Sequence, residues 1–215
     1  MNSLDLNRLM NGFIHAPSEY VDRSWLEDIL PEKVFAALSG NDRVKGRLNN
    51  FVIDRLNLGE MLQVTESGWR EKFCVMPGGL LLSVFRRTAL VQVSADLSKT
   101  ISGEKIRHLK GALSEEDFAF VMNTAPLMIT PELTETLPDD DGLRDDDFVL
   151  RGIGLMSQVW QSIPDALLNR VKVKLPVHYS AVFSSSAPEN MNFDVRHLLS
   201  RIIRETSPQW RVIFD

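Results

Sequence analysis

Side chains able to carry proton or metal chemistry are sparse in this sequence. His15, His108, His178 and His197 lie far apart, and none sits in the H-E-x-x-H spacing that sets two imidazoles on one helix face around zinc. Cys74, the one thiol, has no histidine or second cysteine at metal-ligand spacing. It follows Trp69 and Phe73 in a local apolar patch, where a thiol stays protonated and inert rather than becoming a nucleophile. Glu104 and His108 stand four residues apart, the spacing of an ion pair on a helix surface. These residues imply no catalytic site, no metal and no cofactor; an enzyme built from scattered residues such as this pair stays open as an alternative.

Glycine-rich and acidic segments give the same answer. No G-x-S-x-G, G-x-x-x-x-G-K-[ST] or G-x-G-x-x-G occurs. Gly152-Ile-Gly154 falls inside a helical pattern, where glycine lets another helix approach closely. Pro77-Gly78-Gly79 reads as a tight turn feeding a helix, with an anion held at that helix start as the alternative. Residues 132–147 hold eight carboxylates (Glu132, Glu135, Asp139, Asp140, Asp141, Asp145, Asp146, Asp147) against one Arg144. An EF-hand loop needs acids at positions 1, 3 and 5, glycine at 6 and glutamate at 12. With Gly142 at position 6, Asp139 and Asp141 fit, but Leu137 and Phe148 occupy the first and last positions, so calcium is not expected. The cluster is a solvated, self-repelling loop or a docking site for a basic partner surface.

The helices that must carry these groups are legible from caps and periodicity. Ser24 with Glu27 forms a capping box, and Pro31 opens Glu32–Ser39, which Gly40 ends. Asn41 caps a longer helix with Val44, Leu48, Phe51, Val52 and Leu56 on one face and Gly59 at its end. The run Leu80–Phe85 begins a buried helix, and Ser102–Leu113 follows as a charged one. Ser114 caps Glu115–Ala125, whose apolar stripe is Phe118, Val121 and Met122. Residues 126–147 form the acidic loop. Phe148–Ser162 is helical, with Leu150, Ile153, Met156 and Val159 or Trp160 inward. Pro164 opens a short helix that runs into Val171-Lys-Val-Lys-Leu175, whose alternation marks a short β element near 171–175. Ser184–Pro188 is loop. Asn192 caps the last helix, on which Val195, Leu198, Leu199, Ile202 and Ile203 form one stripe. The expected fold is a mainly α, compact multi-helix domain over residues 1–215.

Composition bounds what remains. Hydrophobic residues at 44% and charged residues at 25% place the chain among globular proteins rather than disordered ones. One cysteine allows no internal disulfide, and the polar, amphipathic start Met1–Met10 is unlike a signal peptide, so a reducing cytosol is the expected compartment. The longest apolar run, Leu80–Phe85, is far short of the roughly 18 residues a membrane span needs. Net charge is −5, and without an overall basic footprint nucleic acid is not the expected partner. Basic residues come in small groups (Arg86-Arg87, Arg107 with Lys110, Lys172 with Lys174, and Arg196, Arg201 and Arg204) that read mostly as polar helix faces.

Three stretches resemble the SctK family, known also as YscK or PscK. Phe13, Pro17, Tyr20, Val21, Trp25 and Leu26 are similar to its opening. Leu80–Leu127 is similar to its middle, with a leucine-rich helix, Ile106-Arg107 and a helix ending in Thr124-Ala-Pro-Leu127. A third echo is Gly152–Pro176, in which a helix bearing Trp160 leads into Val171-Lys-Val-Lys-Leu-Pro176. The acidic loop is less typical of the family.

The resemblance implies a non-enzymatic, cytosolic accessory component of the bacterial type III secretion injectisome. Such proteins bridge the cytoplasmic forkhead-associated-like domain of the inner-membrane ring protein SctD to the pod protein SctQ of the sorting platform, which also holds the stator and the ATPase. A secretion chaperone or other effector-binding protein is the alternative. Candidate partner-binding residues are Phe13, Tyr20 and Trp25 at the N-terminal end and Asp139, Asp140 and Asp141 in the acidic loop. For the three aromatics, a clasp tying the N-terminus to the core is the competing reading.

Overall fold

The computed structural model describes residues 3–59, 68–99, 103–129, 144–161, 163–184 and 194–214. Among them the regular structure is helical throughout, in keeping with a mainly α fold, and there is no strand. The α-helices are α1 (Ser3–His15), α2 (Glu32–Ser39), α3 (Asp42–Arg55), α4 (Trp69–Cys74), α5 (Gly78–Lys99) and α6 (Gly103–Ala112). They continue as α7 (Glu115–Asn123), α8 (Asp145–Leu155), α9 (Ser157–Trp160), α10 (Asp165–Val173) and α11 (Val195–Thr206). Short 3-10 segments occur at Pro17–Glu19, Arg23–Trp25, Ala125–Met128, Val177–Ser184 and Pro208–Phe214.

Several boundaries follow from local chemistry. The Asn41 side chain accepts from Arg43 N and starts α3; after Arg55 the chain turns through positive φ at Asn57 (48°) and Gly59 (72°), which helix geometry forbids. Ser114 accepts from Asp117 N and caps α7 as expected. Ser24 instead lies within a 3-10 turn, because Asp22 accepts from both its amide and its hydroxyl. The cap of α11 is Asp194, which accepts from His197 N; Asn192 lies outside the described residues. Part of the expected acidic loop is ordered structure, since α8 begins at Asp145 with Asp145, Asp146 and Asp147 in its first turn, where carboxylates meet the positive helix end. Residues 130–143 of that loop lie outside the described residues.

The β element expected at 171–175 is absent. Val171–Val173 is the last turn of α10, closed by Lys174 N to Val171 O and Leu175 N to Lys172 O. The alternation misleads because Lys174 does not face water: at 6% exposure it lies inside with Val171, Val173 and Leu175.

The chain divides into two compact units. The first comprises Met1–Leu80, Val159–Ser184 and Val212–Asp215, and the second comprises Leu81–Gln158 and Ser185–Arg211. In the first, Val21, Leu26, Leu48, Val52, Leu58 and Val173 form a core cluster, with Tyr20, Trp25, Phe35 and Leu38 partly buried against it. The second is dominated by α5, in which every residue from Arg87 to Ser94 is buried, so that stretch has no solvent face at all. Thr88 and Ser94 satisfy their hydroxyls on Val84 O and Val91 O. Around it lie the buried Phe148, Val149 and Ile153 of α8 and Leu198, Leu199, Ile202 and Ile203 of α11.

Gly152 explains how α8 comes so near α5. A Cβ there would run into the carbonyl and Cα of Phe85, backbone that no side-chain rotation can clear. Gly152→Ala is therefore expected to lower stability by about 1–3 kcal/mol in urea denaturation, whereas Gly79→Ala, with open space around the added methyl, should not be destabilising by this route.

Candidate interaction surfaces

In the first unit the three aromatics singled out from the sequence are drawn into an internal clasp. Phe13 is buried and Tyr20 and Trp25 are half-buried. The Phe13 and Tyr20 rings lie 5.4 Å apart, and the Tyr20 hydroxyl donates to Phe13 O at 2.7 Å. Trp25 Nε1 donates to Leu175 O at 2.7 Å, and Asp22 N donates to Val173 O at 2.7 Å. Val177 N in turn donates to Ser24 Oγ at 2.9 Å. The segment from Phe13 to Leu26 is thus stitched to the end of α10 by polar bonds as well as by apolar burial.

Two basic side chains sit inside this clasp with carbonyl oxygens for company. Lys174 Nζ donates to Cys74 O at 2.7 Å and Met76 O at 2.9 Å, at the C-terminal end of α4. It also lies 4.0 Å from the centre of the Phe13 ring and 5.1 Å from that of Tyr20. Burial pulls the Lys174 amine down to about 7 from its ordinary 10.5, against a smaller upward pull from Cys74. Burial also pushes the Cys74 thiol up to about 12 and raises the Tyr20 phenol, so the thiol is the inert group its apolar surroundings suggested. One turn earlier on α10, the buried Arg170 donates to Leu58 O, Gly59 O, Ala166 O and Ile14 O. Close approach is required here too: a Cβ on Gly78, the first residue of α5, would meet Lys174 O. Pro77-Gly78-Gly79 accordingly serves a tight backbone junction.

The second unit meets its buried cations with carboxylates. Arg87, at 4% exposure, donates from Nε to Asp117 Oδ1 at 3.0 Å, from Nη1 to Thr206 Oγ1 at 3.1 Å and from Nη2 to Glu116. Arg86 reaches the other Asp117 oxygen at 3.2 Å and also pairs with Asp145. Burial opposes the Arg86 charge, but Asp145 and Asp117 outweigh it and leave the pKa raised. This network rotates α7 from the orientation its apolar stripe suggested. Asp117, Phe120 and Val121 are buried, while Met122 is 40% exposed. It also assigns Asp145, one of the eight clustered acids, an internal partner. Asp139, Asp140 and Asp141 lie outside the described residues. His15, His178 and His197 are exposed and dispersed.

The arginine pair and Lys174 were read from the sequence as ordinary polar faces. For Arg87 the sequence offers only a partial signal, the apolar residues that surround it in α5, since Arg86, Thr88 and Gln92 beside it are polar. For Lys174 no local signal existed, because its carbonyl partners come from α4, about a hundred residues earlier in the chain. Surfaces left for partners include the exposed apolar residues Leu9, Val34, Phe51, Met122, Leu127 and Val177.

A family model described as YOP proteins translocation protein K (YscK) matches residues 10–215 of this chain. Neither the curated proteins nor the solved structures contain a match.

Two measurements test this internal wiring. Between pH 7 and 10.5 the unfolded chain holds a proton on Lys174 that the folded chain has released, so stability should rise with pH through that window. Cys74 acts oppositely only above its ordinary value of 9.0. Denaturation midpoints at pH about 7 and about 8.5 should therefore increase in the unmodified chain and increase less in Lys174→Met; equal slopes would remove Lys174 as the cause. Asp117→Asn strips a buried carboxylate from two arginines and should cost about 3 kcal/mol, read as a lower urea midpoint.

Proposed function

This chain belongs to the YscK family and is a component of type III secretion; from that premise we propose that it is a non-enzymatic adaptor. It joins the cytoplasmic domain of the inner-membrane ring protein SctD to the pod protein SctQ of the sorting platform, through which it is linked indirectly to the stator and ATPase. The observation that carries this reading is the family match over residues 10–215. Among the described residues no helix is long and apolar enough to cross a membrane, which suits a protein held at the cytosolic face by its partners. The disposition of the reactive side chains supports the same reading. Cys74, Lys174, Arg170, Arg87 and Asp117 are all buried and committed to internal bonds or apolar burial, so their chemistry stabilises helices rather than facing a substrate. The acidic segment supplies a concentrated negative charge that could orient a basic partner surface during encounter.

A pull-down of the tagged full-length chain from its native cytoplasm should recover the ring and pod proteins together. Recovery of a secreted effector without ring components would replace the adaptor reading with a chaperone. In purified components, Asp139→Asn, Asp140→Asn and Asp141→Asn combined should slow association with the basic partner at low salt. An unchanged rate would remove that segment from the interface.

A further inference from the structure

In the first unit, α2 is an anomaly of packing. Five of its eight residues are apolar (Val34, Phe35, Ala36, Ala37, Leu38), yet none of the eight is buried. Phe35 and Leu38 rest partly against the core cluster, which leaves Val34 at 44% exposure with Ala36 and Ala37 exposed beside it. A helix this short is held by packing rather than by its own propensity, so an outward apolar face is half of a contact. Its inner side is also incompletely satisfied. Arg23 lies 4.3 Å over the Phe35 ring and donates Nη2 to Leu30 O at 3.1 Å, but its Nε and Nη1 are buried without a hydrogen-bond partner.

The next helix, α3, packs against α2 and carries an exposed apolar residue of its own. Phe51 on α3 is 38% exposed, and exposed Arg47 and Arg55 stand four residues to either side of it, its neighbours on the helix surface. Residues 32–55 carry five basic side chains (Lys33, Arg43, Lys45, Arg47, Arg55) against three acidic ones (Glu32, Asp42, Asp54), in a chain whose net charge is −5. Lys45 among these cations is paired at the surface with Glu19, at 2.6 Å. The small apolar residues exposed on α2, together with Phe51 and its flanking arginines on the adjoining α3, complement one kind of ligand: an amphipathic helix whose apolar side is bordered by carboxylates.

We propose that the α2–α3 hairpin docks an acidic amphipathic helix from one of this protein's two partners, the alanines of α2 allowing close approach and Val34 and Phe51 acting as anchors. This assignment rests on the adaptor reading, because it takes the ring and pod proteins as the donors of that helix.

The test uses the full-length chain in two variants, Val34→Glu with Phe51→Glu, and Arg47→Glu with Arg55→Glu. Each is titrated calorimetrically against the purified ring cytoplasmic domain and the purified pod protein. All four positions are exposed, so thermal midpoints should be retained. The expected result is a loss of about tenfold or more in affinity for one partner, with the other unaffected. The deficit of the arginine variant should shrink at high salt. If the unmodified chain binds both partners and both variants bind them equally well, the docking face is overturned and the adaptor reading stands. If the unmodified chain binds neither, the adaptor reading falls and this assignment with it. If the first variant instead abolishes self-association seen in the unmodified chain, the hairpin is a contact between copies and the proposed partner helix is wrong.

Discussion

A basic side chain enclosed in a helical core must be met by oxygen, and both units of this protein are organised around that demand. The cost of removing a cation from water is several kcal/mol unless hydrogen bonds and compensating dipoles replace the hydration. In the first unit the compensation comes from carbonyls. Lys174 takes the free carbonyls at the end of α4 and the faces of Phe13 and Tyr20, while Arg170 takes those of Ile14, Leu58, Gly59 and Ala166. Each donor therefore fixes the position of a distant chain segment, and the N-terminal clasp, α4 and α10 are registered to one another through two side chains.

The second unit solves the same problem with carboxylates. α5 is buried on all sides through the stretch that bears Arg87, so the guanidinium must find anions within the fold, and α7 turns Asp117 inward to supply them. Exposing Met122 is the consequence, since a helix that points a carboxylate at its neighbours rotates some of its apolar stripe outward. Buried ion pairs seldom add stability over a well-packed apolar core, but they penalise alternative arrangements severely. Helices as short as α7 and α10 gain a definite orientation from such bonds that apolar contact alone would leave loose.

For a protein of this family, the allocation of polar chemistry has a functional side. Among the described residues, Cys74, Lys174, Arg170, Arg87 and Asp117 are buried in the helical core, while Val34, Phe51 and the arginines of α3 are exposed. In the sequence, Phe51 stands between Arg47 and Arg55, whereas residues 132–141 carry acidic charge alone. Surfaces of opposite charge can discriminate between ligands, because like charges brought together repel.

Much of the helical architecture was legible in the sequence because its determinants are local. The cap at Ser114, the stripe of α11, the close-packing role of Gly152 and the inert burial of Cys74 all follow from residue type and spacing within a turn or two of chain, whereas the clasp of Phe13, Tyr20 and Trp25 closes on Val173, Lys174 and Leu175, far along the chain. What the sequence could not settle was the partner of each buried polar group. The alternation at 171–175 resembles a strand only if Lys174 faces water, and it faces inward because the carbonyls of Cys74, at the end of α4, and of Met76, just beyond it, wait there. The stripe of α7 points as its apolar residues suggest only if Asp117 stays in solvent, and it does not because Arg86 and Arg87 require it. Periodicity reports which residues prefer the interior. Which charged residue joins them is decided by oxygen atoms that only tertiary folding brings within 3 Å or so of the donor.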